Sequence, residues 1–243
     1  MKIVSLNIEG QRHLSRVREF LMKENADVVC LMEVFEDTLP DLTVGYPYVE
    51  FAPGYLADQD AEGVIAGERK WGELMMSHYS IEHVRKIYLG SYGETQLPLH
   101  GVDTHTPVLI VGEVVVAQKR YGVATVHGTW TKGGVVSLRQ RREMGKMRSE
   151  LAGWEGVIAG DFNIPRGNAM YQELAKQWHD NIPREVETTL DPILHYANKD
   201  EVGRLKLVVD YVWSTPKYQV RNVSVKCGIS DHCAVIAEVL RLD

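Results

Sequence analysis

A carboxylate and a carboxamide follow the short apolar run Val157 to Ala159. The run ends in Gly160, and Asp161 and Asn163 come next, two residues apart. Placing such groups at the end of a buried strand costs free energy unless they are paired. A carboxylate there can take a proton from water, and a carboxamide can donate to an oxyanion without adding charge. The pair therefore predicts hydrolytic chemistry, although an Asp or Asn after a strand is most often a turn former.

Polar side chains interrupt apolar runs at several other places along the chain. Each has an ordinary structural explanation as a turn former, a solvated rim or a helix cap. Burying several unpaired carboxylates is costly, however, so their recurrence favours convergence on one site. The interrupting residues are Asn7, Glu9, Glu33, His127, Asp210, Asp231 and His232. If they meet, their oxygen-rich set suits Mg²⁺, with Mn²⁺ as a substitute, better than zinc.

The elements that must position these side chains are mainly strands, with a few helices. Apolar runs predict strands at Ile3 to Leu6, Asp27 to Met32, Tyr46 to Ala52, Leu74 to Ser77, Val108 to Ala117, Val123 to Val126, Val157 to Ala159, Leu207 to Trp213, Val220 to Lys226 and Ala234 to Leu240. Helical spacing predicts helices at Gln11 to Asn25, Val136 to Leu151 and Ala169 to Gln177. Loops are predicted at Pro53 to Glu73 and Gly90 to Thr106, and a hairpin turn at Lys119 to Gly122. The β-α-β start indicates a layered α/β fold, and the absence of repeats or linkers favours one domain over 1–243.

Composition is that of a soluble globular protein. The chain has 243 residues, 44% hydrophobic and 25% charged, with a net charge of −6. That charge does not indicate a protein that binds nucleic acid over its whole surface, but it is compatible with a local basic groove. No signal peptide or membrane span is visible at the N-terminus, so we expect a cytoplasmic monomer without an obligatory protein partner.

The cysteines predict no structural framework. Cys30 lies in an apolar run, and Cys227 and Cys233 lack the close pairs of a zinc site. We therefore expect free thiols and a reducing compartment.

Five short motifs, in order along the chain, resemble a known family. SLNIEG, LMEV, GDFN, VVDYVW and SDH look like the signature of the endonuclease/exonuclease/phosphatase superfamily, and the resemblance runs from Asn7 to His232. Its members include pancreatic-type deoxyribonucleases, abasic-site endonucleases, neutral sphingomyelinases and inositol polyphosphate 5-phosphatases. The resemblance implies the deoxyribonuclease I-like fold, a four-layer α/β/β/α sandwich of two packed mixed β-sheets.

The same resemblance implies a divalent-cation site with four contributors. Glu33 matches the principal Mg²⁺-binding glutamate, and Asn7 matches an asparagine that helps to bind metal or phosphate. Glu9 falls where many members carry an acid near the metal, and Asp231 matches an acid that is often close to it.

It also implies five catalytic positions. Asp161 matches the aspartate that orients or deprotonates the attacking water, and Asn163 matches its partner at the scissile phosphate. Asp210 matches the aspartate that pairs with the last histidine, His232, and His127 matches a histidine of the deoxyribonucleases and sphingomyelinases. Phosphodiester hydrolysis needs a positioned water, neutralised oxygens and an assisted leaving group, and these residue types supply all three.

The sequence leaves the phosphoester open between nucleic acid and a smaller ester. Trp130 could stack on a base, and His78 stands where the family usually has a phosphate-facing cation. One helix carries five cations that would suit a basic groove or a solvated face: Arg139, Arg141, Arg142, Lys146 and Arg148. A nuclease is the leading prediction. A phosphodiesterase or phosphatase for a small molecule or lipid headgroup is the alternative, and an inactive binding module of the same fold is the second alternative.

Overall fold

A computed structural model describes residues 1–57, 69–90, 105–198 and 202–242 of the chain. The strands are β1 (Lys2–Asn7), β2 (Val28–Phe35), β3 (Tyr48–Ala57), β4 (Arg69–Ser77), β5 (Ile81–Tyr88), β6 (Val108–Val116), β7 (Lys119–His127), β8 (Val157–Asp161), β9 (His179–Asp180), β10 (Asp210–Ser214), β11 (Tyr218–Lys226) and β12 (Ala234–Arg241). The α-helices are α1 (Leu14–Glu24), α2 (Leu39–Leu42), α3 (Leu138–Glu150) and α4 (Ala169–Ala175).

The strands form two mixed sheets of six. The first sheet has the order β11-β12-β1-β2-β4-β3, and the second has the order β5-β6-β7-β8-β10-β9. The pairs β1–β2 and β7–β8 are parallel, whereas the other neighbours are antiparallel. One strand of each parallel pair, β1 in the first sheet and β8 in the second, contacts the other across the interface between the sheets. The ends of these two strands are therefore close to each other.

Period-two alternation assigns the two faces of the first sheet. Along β1, Ile3 belongs to the core between the sheets, whereas Val4 and Leu6 belong to the outer core. Successive side chains of a strand point to opposite faces, so Asn7 shares the inward face with Ile3. The residue that ends this strand is therefore directed into the layer between the sheets.

Helices cover both outer faces, which completes the predicted four-layer α/β/β/α sandwich. In the first sheet, α1 packs Val17, Phe20 and Leu21 against the outer core, and burial of such side chains contributes about 1.5–3 kcal/mol each. On the second sheet, α3 and α4 contribute Met144 and Leu174 to the large core cluster. The fold class expected from the motifs is confirmed.

Several element boundaries differ from the prediction. The strand predicted to end before Glu33 runs through it to Phe35, because burial continues on both sides of the glutamate. The hairpin turn lies at Ala117 and Gln118, not at Lys119 to Gly122, and both turn residues have positive φ. Such turns favour Asn-Gly or Asp-Gly, so Ala-Gln carries no sequence signal.

Two strands, β5 and the two-residue β9, were not predicted. The longer of them is β5. It is an edge strand whose burial pattern contains no fully buried position. Its mixture of charged and apolar residues, IEHVRKIY, is typical of exposed edges and lacks the apolar run used to recognise strands.

The expectation of free cysteines is wrong for one pair. Cys227 and Cys233 form a disulfide, and only Cys30 is free. The intervening chain turns at Gly228, which has a φ of 87°, and brings the two Cα atoms to 4.2 Å. The pairing removes the basis on which the sequence favoured a reducing compartment.

Within the described ranges, no helix is both long enough and apolar enough to cross a membrane.

Candidate active site

Three predicted site residues form one row across the second sheet. His127 of β7 pairs in register with Asp161 of β8, and Asp161 pairs with Asp210 of β10. Directly opposed residues on neighbouring strands present their side chains on the same face. The sheet therefore fixes an imidazole and two carboxylates side by side at the end of β8.

The first sheet contributes Glu33 through an irregularity in β2. The β2–β4 register shifts between Leu31 and Val34, and Glu33 has a φ of 61°. A bulge of this kind re-aims one side chain out of the regular alternation. Glu9, in the turn after β1, also has positive φ, at 51°.

Asn7 links the two sheets at the centre of the site. Its Nδ2 donates to Glu33 Oε1 at 2.9 Å and to Asp161 Oδ2 at 3.1 Å. Its Oδ1 accepts from the backbone N–H of Glu9 at 3.2 Å. In this arrangement the asparagine orients two carboxylates, since both of its amide hydrogens bind them.

Asn163 is held by the same turn as Asp161. Its backbone N–H donates to Asp161 Oδ1 at 2.8 Å, and its Nδ2 donates to Gly128 O at 3.0 Å. Nδ2 also lies 3.2 Å from His127 Nε2. The φ of Asn163 is 52°, which Asn tolerates better than most residues.

His232 is held between carboxylates that favour its charged form. Its Nδ1 lies 2.9 Å from Asp210 Oδ2, and its Nε2 lies 3.8 Å from Asp161 Oδ2. Burial opposes the charged form, but Asp210, Asp161 and Asp231 outweigh it and raise the pKa of His232 well above its ordinary value. Burial would raise the pKa of Asp161, yet His232 and His127 lower it to about 2. Asp161 therefore stays ionised beside the imidazolium.

His127 lies against the same carboxylates from the other side. Its Nε2 is 3.5 Å from Asp161 Oδ2 and 3.7 Å from Glu33 Oε1. Burial lowers the tendency of His127 to be charged, but the hydrogen bond and charge of Asp161, with Glu33 and Glu73, raise its pKa to about 9.

Three acids beside the row have the electrostatics of a cation site. Burial and then the charge of Asp231 raise the pKa of Glu9 to about 7. Burial also raises the pKa of Glu33, although His127 opposes it, and Asp231 adds to the rise. Carboxylates whose pKa values are raised by burial and by a neighbouring negative charge, as those of Glu9 and Glu33 are, gain from a cation beside them. Their oxygen donors fit Mg²⁺ or Mn²⁺.

All nine predicted residues thus lie in one region, and the structure adds four that the sequence did not single out for the site. Glu73 and His105 lie beside His127, and His195 lies beside His232, with its ring centroid 5.9 Å away. Gln140 of α3 donates to the carbonyl of Asn163 at 3.2 Å. The available signal for Glu73 and His105 was an acid or a histidine inside a predicted loop, and the sequence analysis contained none for His195.

His78 does not face the site. It follows β4 at Ser77, which pairs with Val28 at the start of β2, whereas Glu33 lies near the end of β2. The ring stacks on Tyr46 and lies within hydrogen-bond distance of Asn25 Oδ1. The strand direction therefore carries His78 to the opposite end of the sheet.

Together, the two packed mixed sheets and this acidic, histidine-containing cleft define a metal-dependent phosphoester hydrolase of the deoxyribonuclease I-like class. The chain belongs to the Endonuclease/Exonuclease/phosphatase family, whose model matches residues 4–232. No curated protein sequence matches the chain.

Solved structures share the fold at low sequence identity. The endonuclease/exonuclease/phosphatase from Beutenbergia cavernae DSM 12333 is 19% identical with a TM-score of 0.75, over 100% of this chain and 71% of that chain. The human Nocturnin catalytic domain is 15% identical with a TM-score of 0.70, over 99% and 93% of the two chains. A mannosyl-6-phosphatase from Bacteroides thetaiotaomicron VPI-5482 is 14% identical with a TM-score of 0.68, over 99% of each chain.

Proposed function

We propose that this protein is a Mg²⁺-dependent phosphodiester hydrolase, active also with Mn²⁺, and that its substrate is nucleic acid. The observation that carries the hydrolytic part is the contact of Asn7 with both Glu33 and Asp161, next to His232. These contacts put a candidate cation ligand, a candidate base and a cationic donor within one cleft.

Each residue has a role that follows from its surroundings. Asp161 orients the attacking water and accepts its proton, and Asn163 donates to a phosphate oxygen through Nδ2. His232, kept protonated by Asp210, donates to a nonbridging oxygen, while His127 assists the leaving group through Nε2. A divalent cation held by Glu33, with Asn7, Glu9 and Asp231 around it, would supply Lewis-acid stabilisation of the phosphate charge.

The loop after β7 supports nucleic acid as the substrate. Trp130 is 53% exposed, three residues beyond His127. Lys132 is also exposed in this loop. An exposed indole beside a cation can stack on a base, which is worth about 1–3 kcal/mol per base.

A compact phosphoester is the second candidate, because the cations of α3 are largely engaged elsewhere. Arg139 pairs with Glu143, Lys146 donates to Tyr88 O, and Arg148 donates to Gln177. Structural neighbours named as a mannosyl-6-phosphatase and a sphingomyelinase C fit this candidate. An inactive binding module is disfavoured, since such a module has no need for charges this closely paired.

A substrate panel with Mg²⁺ and Mn²⁺ tests the proposal. It holds plasmid DNA, single-stranded DNA, RNA, an abasic-site duplex, sphingomyelin, inositol phosphates, a sugar phosphate and a bis-aryl phosphate. Cleavage of a nucleic acid, with binding that weakens steeply as salt rises, supports the proposal. Cleavage of a small ester or headgroup alone favours the second candidate, and metal binding without any turnover favours the module.

Two variants in one loop refine the test. Trp130→Ala should raise KM for the cleaved nucleic acid, whereas Val135→Ala, which removes another exposed apolar side chain of that loop, should not. Equal effects of the two substitutions would remove Trp130 from the binding surface.

A further inference from the structure

A second group of potential ligands shares His127 with the acidic cleft. Glu73 comes from β4, His105 precedes β6, and His127 ends β7. One ligand atom from each residue lies within 4.8 Å of the other two. The proposed hydrolysis gives a role to His127 Nε2 and assigns none to Glu73 or His105.

Two buried polar atoms in this group have no hydrogen-bond partner among the described residues. They are Glu73 Oε2 and His127 Nδ1. Glu73 is 0% exposed and His127 is 6% exposed. Leaving a buried polar group unpaired costs about 1–3 kcal/mol. A cation bound at these two atoms would offset that cost.

The unpaired nitrogen of His127 is the one that does not face the acidic cleft. Nε2 is turned toward Asn163 and Asp161, so Nδ1 occupies the opposite edge of the ring. The rings of His105 and Trp71 pack around His127 with centroids at 4.8 Å and 5.4 Å. Tyr55 packs against Trp71 and adds a further aromatic ring beside this group.

One pair in the group is within hydrogen-bond distance, and its spacing is also compatible with two ligands on one metal. Glu73 Oε1 and His105 Nε2 are 3.3 Å apart. Two donors about 2.0–2.1 Å from a tetrahedral zinc ion lie roughly 3.3 Å from each other. A carboxylate with two imidazoles is also a donor set that suits a transition metal better than Mg²⁺.

We propose that Glu73, His105 and His127 form a second metal site, which holds a zinc-like divalent cation through the carboxylate, His105 Nε2 and His127 Nδ1. The cation satisfies both unpaired atoms. Coordination at Nδ1 places the remaining ring proton of His127 on Nε2, which faces Asp161, and fixes the ring orientation. The site therefore differs from the oxygen-rich site at Glu33 in ligand chemistry and in position.

Metal retention tests this proposal without any activity assay. The full chain is stripped with a chelator, loaded with Zn²⁺ or Co²⁺ in the presence of excess Mg²⁺, and passed through a desalting column before metal analysis. Wild type and Glu33→Gln are expected to retain about one transition metal per chain, since that variant leaves all three ligands in place. The Co²⁺ form should show the visible absorption of a tetrahedral nitrogen-containing site.

Loss of one ligand should weaken retention by roughly 100-fold or more, because loss of even an outer partner of a metal ligand costs about 10–100-fold. His105→Ala and the isosteric Glu73→Gln provide this test twice, with circular dichroism to confirm that each is folded. His83→Ala removes an exposed histidine paired with Glu113 and should retain the metal.

Three results would overturn the proposal. One is wild type that retains no more Co²⁺ than His105→Ala. Another is His83→Ala losing the metal as His105→Ala does. The third is metal that is lost on Asp231→Asn while His105→Ala keeps it, which would assign the binding to the cluster of His195, Asp231 and His232.

Discussion

At the level of single residues, three site side chains stand on backbone that L-residues rarely adopt. Glu9, Glu33 and Asn163 have φ values of 51°, 61° and 52°. Such conformations cost about 1–3 kcal/mol each and persist only where the surroundings over-determine them. The hydrogen bonds of Asn7 and Asp161 supply part of that constraint. The directions of these three side chains are therefore set by contacts with neighbouring residues and not by the local backbone preference of each residue.

Asp161→Asn should reduce turnover by roughly 10²- to 10⁴-fold, the range contributed by a positioned acid or base. The amide cannot accept a proton, and the pKa values of His232 and His127 should fall because each loses an anionic neighbour. Initial rates with saturating Mg²⁺ measure the change, and circular dichroism checks that the variant is folded. Asp41→Asn, at an exposed acid, is the control. Normal turnover in Asp161→Asn would remove it from the reaction.

Glu9 should make the metal-free protein less stable as the pH rises. Burial and Asp231 raise its pKa in the folded state to about 7 from 4.5. The folded state then binds a proton more tightly than the unfolded state, so this contribution is present below pH 4.5 and lost as the pH rises through about 7.

Melting temperatures in EDTA across that pH interval measure the effect. Glu9→Gln has no proton to lose, so its melting temperature should fall less than that of wild type over the same interval. Parallel curves for the two proteins would show that Glu9 does not titrate in this way.

At the level of elements, a buried side chain of α3 binds the turn at Gly160 to Asn163, which is the GDFN motif. Gln140 is 0% exposed, and its Nε2 donates to Thr129 O at 3.1 Å and to Asn163 O at 3.2 Å. The helix begins at a capped end, where Ser137 Oγ accepts from the Gln140 backbone N–H. The Gln140 side chain, in the first turn of α3, therefore links the loop after β7 to the turn after β8.

Gln140→Ala should lower the free energy of unfolding by about 1–3 kcal/mol, because two buried carbonyls lose a donor. It should also lower kcat more than it raises KM, since Asn163 loses its backbone support while the outer substrate contacts remain. Denaturant titrations and steady-state kinetics measure both. Gln172→Ala, at an exposed glutamine of α4, is the matched control and should change neither. A loss of stability with unchanged kcat would limit Gln140 to a structural role.

The Cys227–Cys233 disulfide closes the loop that carries Asp231 and His232. Cys227→Ser should lower the free energy of unfolding by about 2 kcal/mol, the value for closure of a short loop. Dithiothreitol should lower the melting temperature of wild type and leave that of the variant unchanged. Wild type that is indifferent to the reductant would show that the bond contributes nothing to stability.

At the level of the whole molecule, the site spans the packed sheets. Asn7 and Glu33 come from the first sheet, while His127, Asp161 and Asp210 come from the second. Any cation between Glu33 and the second sheet therefore bridges the two halves of the sandwich. Binding to the folded state alone stabilises it by mass action.

Mg²⁺ should accordingly raise the free energy of unfolding, by about 2.7 kcal/mol at 100 times its Kd. Glu33→Ala should need far more Mg²⁺ both for this stabilisation and for turnover, because it removes the principal carboxylate. Melting curves and rates over a Mg²⁺ titration measure the two requirements. Glu36→Ala changes an exposed acid that pairs with Lys70, and should titrate as wild type. Identical titrations for Glu33→Ala and wild type would exclude Glu33 from the cation site.

From the sequence, the residue pattern indicated a layered α/β fold, and the family resemblance implied the four-layer sandwich and the residues of the candidate site. Alternating apolar residues specify which face of a strand is buried, and short motifs report which strand ends carry polar groups. Both signals are local, so they can be read without the structure. The predictions for β1, β8, β10 and β12 therefore agree with the observed strands to within a few residues.

Only the tertiary structure decided how those residues meet. Asn7 and Asp161 are 154 residues apart, and their contact depends on sheet register and on the packing of one sheet against the other. The same dependence hid the disulfide and the group of Glu73 and His105 with His127, whereas the Ala117–Gln118 turn was missed because its residues carry no local turn signal. Periodicity and composition do not encode the distances between atoms in the disulfide and in that group, because such distances arise only when the chain packs.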